Sequence, residues 1–199
     1  MSALFWWFFE YLNRYVQNWY YVGVDDFTPF EYVFHASLAF ATVLPAVLST
    51  QRFLLTFGAF NPGLTSQRRL TFMEDKRTAG VIFLVAGVCL TLIGRYPDFL
   101  YPLVWGAPLL VITSLQTLRA EPTIFRGLPL GDWRALESSD MAATIFGVLW
   151  ELWNFHSLAR WEYAIPFVDR FHVFEMPLLP GAAYLSSGRE CRLMGRMGL

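Results

Sequence analysis

The chain has 199 residues, of which 55% are hydrophobic, 18% aromatic and 16% charged, with a formal net charge of −1. Soluble domains are nearer a quarter charged, so this composition argues against a soluble cytosolic fold and favours a membrane protein. A nearly neutral chain without a run of Lys or Arg also argues against a nucleic-acid partner. Cys89 and Cys191 have no spacing typical of a disulfide framework or a metal site.

Six segments have about the length needed to cross a bilayer, roughly 20 residues. They cover about 3–23, 30–51, 77–95, 98–118, 140–160 and 172–192. The first carries a polar stripe, and its alternative is a helix that lies in the membrane interface. The last is interrupted by proline, and its alternative is a broken or re-entrant segment. The stripe consists of Glu10, Asn13, Arg14 and Gln17, which lie on one face of a helix. The sequence therefore predicts an all-α polytopic transmembrane helix bundle of six segments that forms a single integral membrane domain over 1–199.

The Lys and Arg residues predict the orientation of that bundle. They concentrate in the loops after the second and fourth segments and in the C-terminal tail. Because Lys and Arg accumulate on the cytoplasmic side, both termini are predicted to be cytoplasmic, in a bacterial inner membrane. We expect uncleaved insertion, since the N-terminus lacks the features of a signal peptide. No internal repeat or long linker is expected either.

Glu151 is the main candidate for function, because a carboxyl at bilayer depth is costly and needs a partner or a task. It shares a stripe of small and polar residues with Thr144, Gly147 and Asn154. Two structural roles are open: an ion pair with a basic residue such as Arg14 or Arg95, or a protonated carboxyl that donates a hydrogen bond. The functional alternative is a proton carrier, a general acid or a ligand-binding group.

Glu175 is the second candidate. It follows a Pro- and aromatic-rich return from Trp161, which is typical of a chain that turns at the outer interface. The histidines His35, His156 and His172 are better explained by packing than by ligation. A haem with two histidine ligands would need both His35 and His156. Because packing explains these histidines better, no cofactor is assigned. The roles of the three histidines stay open.

Motifs for nucleotide binding, zinc proteolysis and serine hydrolysis are absent from the sequence. The phrases at 8–13, 101–105, 131–134, 150–154 (W-E-L-W-N) and 174–179 (F-E-M-P-L-L) resemble a family of bacterial multi-pass membrane proteins without an established function. This resemblance implies a membrane fold but no reaction. The intramembrane Glu with an aromatic return is more loosely similar to carotenoid-cyclase-like membrane proteins, at the level of fold alone.

Three functions are compatible with these residues. In the first, an aromatic pocket binds or modifies a membrane lipid, isoprenoid or other apolar small molecule, with Glu151 as acid or base and Glu175 as the second candidate catalytic residue. Its binding residues would be Glu10, Asn13, Arg14, His35, Trp150, Asn154 and Trp161. In the second, the protein is a non-catalytic subunit or assembly factor of a larger membrane complex. The third is a proton-coupled transporter, which the lack of a visible inverted repeat disfavours.

Overall fold

A computed structural model describes residues 1–58, 63–168, 172–174, 176–177 and 183–197, which are mostly helical. The helices are α1 (Ser2–Val16), α2 (Pro29–Ala41), α3 (Val43–Leu54), α4 (Lys76–Leu92), α5 (Pro97–Leu100), α6 (Leu103–Leu118), α7 (Arg134–Phe155) and α8 (Ala183–Met197). The strands are β1 (Trp19–Val22), β2 (Arg160–Tyr163), β3 (His172–Val173) and β4 (Met176–Pro177). Short 3-10 turns lie at Phe72–Glu74 and Leu128–Leu130.

The six-segment bundle predicted from the sequence is wrong. Among the described residues, only the nearly continuous helix Pro29–Leu54 is long and apolar enough to cross a membrane. Helices α4 and α6 have 17 and 16 residues. At 1.5 Å per residue they are about 26 and 24 Å long, short of the hydrocarbon thickness of about 30 Å. Apolar runs in the sequence therefore overstate the length of the helices they form.

The other predicted segments also differ from the observed elements. Residues 3–23 form α1 followed by β1. Of the segment 140–160, only 140–155 lie in α7, and this apolar run contains Asp140 and Glu151. Within 172–192, the described residues form β3, β4 and the first part of α8. Helix α8 carries Arg189, Glu190 and Arg192, so it is too polar for lipid.

Helix α1 ends where the side chain of Asn13 takes a backbone N–H group that would otherwise extend the helix. Its buried apolar residues, Phe5, Phe9, Leu12 and Val16, recur at helical spacing and form part of the main core. At the end of the helix, the side-chain oxygen Oδ1 of Asn13 accepts a hydrogen bond from the backbone N–H of Asn18 at 2.8 Å. Gln17 then adopts a left-handed conformation (φ 52°), which turns the chain into β1.

A proline divides the longest apolar helix into α2 and α3. Thr28 and Glu31 form a capping box that begins α2. Pro45 has no N–H to donate to the preceding turn, so the helix is interrupted near Thr42. The Ser2 hydroxyl bridges this break, because it donates to the Phe40 carbonyl at 2.6 Å and accepts the Leu44 N–H at 3.0 Å. The start of α1 is thereby held at the α2–α3 junction.

Helix α8 packs closely on α7. A side chain at Gly188 would overlap the carbonyl oxygen of Ser139, so only glycine allows this approach. Next to it, Arg189 donates to the carboxylate of Asp140, with the shortest N···O distance at 2.6 Å. Helices α4 and α6 form a second pair, and α3 packs on α7.

The two-stranded sheet of β1 and β2 joins the two halves of the chain. The strands are antiparallel, with Trp19 opposite Tyr163 and Tyr21 opposite Trp161. At the end of this ribbon Gly23 has a φ of 70° and lies so close to the Leu158 carbonyl that a side chain would collide with it. The ribbon brings the ends of α1 and α7 to one region, where a cavity lies.

Candidate functional site

A cavity of about 630 Å³ lies beneath the β1–β2 ribbon. Many of the side chains that line it are aromatic. They include Trp6, Trp19, Tyr21, Tyr32, Phe40, Tyr101, Trp105, Trp150, Trp161 and Tyr163. Volumes of this order, with apolar walls and a few polar groups, are typical of small-molecule sites.

The ribbon supplies four of these aromatic residues because alternate residues of a strand point to the same face. Trp19 and Tyr21 of β1, together with Trp161 and Tyr163 of β2, face the cavity. On the opposite face, the Tyr20 hydroxyl donates to Glu162 at 3.0 Å. The alternation of side chains along the two strands therefore gives the ribbon one face toward the cavity and an outer polar face.

Glu151 lies behind the cavity wall and is only 2% exposed. The hydroxyl of Tyr163 donates to its Oε1 atom at 2.6 Å, and the Trp161 indole N–H approaches the same oxygen at 3.4 Å. That indole also donates to the Tyr163 hydroxyl at 3.0 Å. Tyr163 and Trp161 line the cavity and Glu151 does not. Glu151 is therefore connected to the cavity by its hydrogen bonds with these two side chains.

Asn154 positions the ribbon. Its side-chain amide donates to the Trp161 carbonyl at 2.8 Å and accepts the Trp161 N–H at 2.9 Å. Both bonds are to the backbone, and Asn154 does not line the cavity. It therefore fixes the place where β2 begins, and with it the position of Trp161 over Glu151.

A second carboxyl has nearly the same surroundings at the end of α1. Oε1 of Glu10 accepts the Tyr21 hydroxyl at 2.6 Å and the Trp19 indole N–H at 3.1 Å. Burial raises the pKa of Glu10, and the hydrogen bonds from Tyr21 and Trp19 oppose that rise. Asn13 donates to the Trp19 carbonyl at 2.7 Å, in the same way as Asn154 donates to Trp161.

The two sets of residues form an internal repeat. In the sequence it reads E-x-x-N followed by W-x-Y. The first copy is Glu10, Asn13, Trp19 and Tyr21, and the second is Glu151, Asn154, Trp161 and Tyr163. A second phrase, V-D-x-F-x-x-F-E, follows each copy at 24–31 and 168–175. The expectation of no internal repeat is therefore wrong, because a few spaced residues with unequal gaps escape a search for a fixed period.

The remaining predicted site residues divide between the cavity and the surface. Trp150 and His35 line the cavity, and His35 lies at its exposed edge with its ring 5.7 Å from that of Phe27. Arg14 is exposed and away from the cavity, so its assignment as a binding residue is not supported. His156 is exposed and does not line the cavity either. Glu175 and the side chain of His172 lie outside the described residues.

Sequence reasoning missed the tyrosines and the central tryptophan. Tyr21 and Tyr163 connect the carboxyls to the cavity, and Trp105 stacks on Trp19 with ring centroids 5.4 Å apart. The W-x-Y phrase repeated after E-x-x-N is the signal that identifies the tyrosines. Trp105 has no such signal, because its place depends on packing between α1 and α6.

Comparisons with protein-family models, curated proteins and solved structures find no match for this chain. The resemblance to a bacterial multi-pass membrane family therefore stays a prediction. Function is inferred below from the cavity and its carboxyls.

Proposed function

We propose that the protein binds an apolar small molecule of the lipid or isoprenoid class in the aromatic cavity, and that Glu151 exchanges a proton with it through Tyr163. The observation that supports this most directly is the 2.6 Å bond from the cavity-lining Tyr163 to the buried Glu151. A phenolic hydroxyl both donates and accepts, so it can pass a proton between a carboxyl and a ligand. Glu151 then acts as acid or base without touching the ligand.

The aromatic walls suit this chemistry. Tryptophan and tyrosine rings offer a large apolar surface to a hydrocarbon chain. Their faces also attract positive charge. A double bond protonated in this cavity would therefore be stabilised by rings such as Trp105 and Trp161.

We also propose that the protein resides in a lipid membrane, the bacterial cytoplasmic membrane. Only 22% of the apolar window of Pro29–Leu54 is buried within the protein. Helix α4 also has exposed apolar residues at helical spacing: Val81, Leu84, Val85 and Val88. Exposed apolar faces of this extent favour contact with lipid. A ligand of the lipid class would then enter the cavity from the membrane.

The test uses a substitution that fills the cavity. Gly106 of α6 lines the cavity, and a Cβ built there meets no atom within 4 Å. Gly106→Leu is therefore expected to fold and to reduce the amount of apolar molecule that co-purifies with the protein. Gly87→Leu is the matched control, since Gly87 is a helical glycine with equally open surroundings that does not line the cavity. Mass spectrometry of organic extracts of the purified membrane protein measures the bound molecule.

Glu151→Gln separates binding from proton transfer because it keeps the shape and removes titration. We expect this variant to retain the extracted molecule but to accumulate it in an unmodified form. The proposal fails if the wild-type protein contains no apolar molecule in stoichiometric amount, or if Gly106→Leu contains as much as Gly87→Leu. A large complex that co-purifies with the wild type in place of a small molecule would support a subunit role.

A further inference from the structure

The two carboxyl sites are related by a local twofold axis through the ribbon. In the register of β1 and β2, Trp19 pairs with Tyr163 and Trp161 pairs with Tyr21. A half-turn about this axis exchanges the two strands. It superimposes Trp19 on Trp161 and Tyr21 on Tyr163. The axis passes through the Tyr20–Glu162 pair, which lies between the other two pairs.

The hydrogen bonds follow the same symmetry. Each tyrosine hydroxyl donates to its glutamate at 2.6 Å, and each indole N–H approaches the same oxygen at 3.1 or 3.4 Å. Both tyrosines line one cavity, and neither glutamate does. Side chains on a diagonal of an antiparallel pair have Cβ atoms roughly 7–8 Å apart. One ligand in this cavity can therefore reach Tyr21 or Tyr163.

We propose that Tyr21 with Glu10 and Tyr163 with Glu151 are two equivalent subsites for the polar end of the same apolar ligand, which binds in either of two orientations. The inference rests on the proposed function and extends it to the α1 site. Each subsite presents a phenolic oxygen that both donates and accepts, backed by a carboxyl. A hydroxyl group, which also donates and accepts, is the ligand chemistry that fits both subsites. The ligand class is therefore an apolar chain with an alcohol at one end.

The test measures the affinity for all-trans-retinol, an isoprenoid alcohol whose fluorescence is excited by energy transfer from tryptophan. Dissociation constants are compared for the wild type, Tyr21→Phe, Tyr163→Phe and the double variant. If the subsites are equivalent, each single variant loses one of two orientations, and its Kd rises by only about twofold. The double variant loses the hydrogen bond in both orientations, so its Kd rises by about fivefold to tenfold.

Tyr20→Phe is the matched control, since Tyr20 lies in the same strand and bonds to Glu162 on the outer face. Its Kd should equal that of the wild type. A large loss for one single variant and no loss for the other overturns the equivalence, while retinol binding by the wild type leaves the proposed function standing. Failure of the wild type to bind retinol overturns both.

A second pair of variants covers the case in which a tyrosine variant does not fold. Glu10→Gln and Glu151→Gln keep an acceptor for each tyrosine hydroxyl and remove the titrating group. Equal changes in Kd for these two variants support the equivalence, and unequal changes overturn it. Circular dichroism in the far ultraviolet identifies which variants are folded.

Discussion

Buried carboxyls are accommodated differently in two regions of the molecule. At the ribbon, Glu10 and Glu151 accept hydrogen bonds from neutral aromatic side chains that line a cavity. At the contact between α7 and α8, Asp140 is paired with Arg189, and the next residue of α8, Glu190, is buried at 3% exposure. A carboxyl held by neutral donors can gain or lose a proton without breaking an ion pair. The ribbon is therefore suited to proton exchange, whereas the α7–α8 contact is suited to holding two helices together.

The largest expected effect concerns the ion pair. Burial raises the pKa of Asp140, and the Arg189 guanidinium opposes that rise. Arg189→Met would leave a buried carboxyl without its cation, so we expect the free energy of unfolding to fall by about 2–3 kcal/mol. Denaturant titration measures this loss. Retinol affinity per folded molecule should not change, because neither residue lines the cavity.

Asp140→Asn in the Arg189→Met background is the control for that result. A neutral amide costs less to bury than an unpaired charge, so the double variant should recover part of the lost stability. If the double variant is no more stable than Arg189→Met, the ion pair does not account for the effect. A change in retinol affinity in the single variant would remove the distinction between the two regions.

A smaller effect is expected at the ribbon. Asn154→Ala removes two hydrogen bonds to the backbone of Trp161, which corresponds to about 2 kcal/mol of stability at roughly 1 kcal/mol each. Here affinity should fall together with stability, since Trp161 then loses its place in the cavity wall. Asn13→Ala is the matched variant in the other copy, and it should behave alike. Lost stability with unchanged retinol affinity in both variants would show that the ribbon does not shape the site.

The sequence predicts which side chains lie at the site better than it predicts their hydrogen bonds. Glu151 is predicted from the cost of burying a carboxyl, and Trp161 from the aromatic return. These two, with the predicted binding residues Trp150 and His35, lie in or directly behind the cavity. The expected binding role of Asn154 does not match its two bonds to the backbone. Hydrogen bonds of this kind depend on where the chain turns, and residue type alone does not reveal them.

The fold was harder to predict because apolar runs do not distinguish a lipid-facing helix from a buried one or from a strand. The run after Asn18, W-Y-Y-V, reads as a continuation of the first helix, and it forms β1 because Asn13 takes the backbone N–H groups that would extend α1. The predicted segment 98–118 begins within a separate short helix, α5, so α6 begins only at Leu103. Turns of this kind shorten each helix by several residues.

A pH-dependent effect concerns Glu190, which tests whether a carboxyl without a donor behaves differently from those at the ribbon. Within the described part of the chain, neither of its carboxyl oxygens has a hydrogen-bond partner. Burial raises the pKa of Glu190 well above its usual value. As the pH rises above about 4.5, the unfolded chain releases this proton while the folded protein retains it. Stability should therefore fall by at most about 1.4 kcal/mol per pH unit until the pH passes the folded pKa.

Glu190→Gln should abolish this dependence, because an amide does not titrate. We expect the variant to match the wild type at pH 4 and to be more stable at pH 8, as measured by thermal unfolding across that range. Parallel pH profiles for the two proteins would mean that Glu190 is ionised in the fold and has a partner. In that case Glu190 would resemble Asp140, a buried carboxyl that is held by a partner.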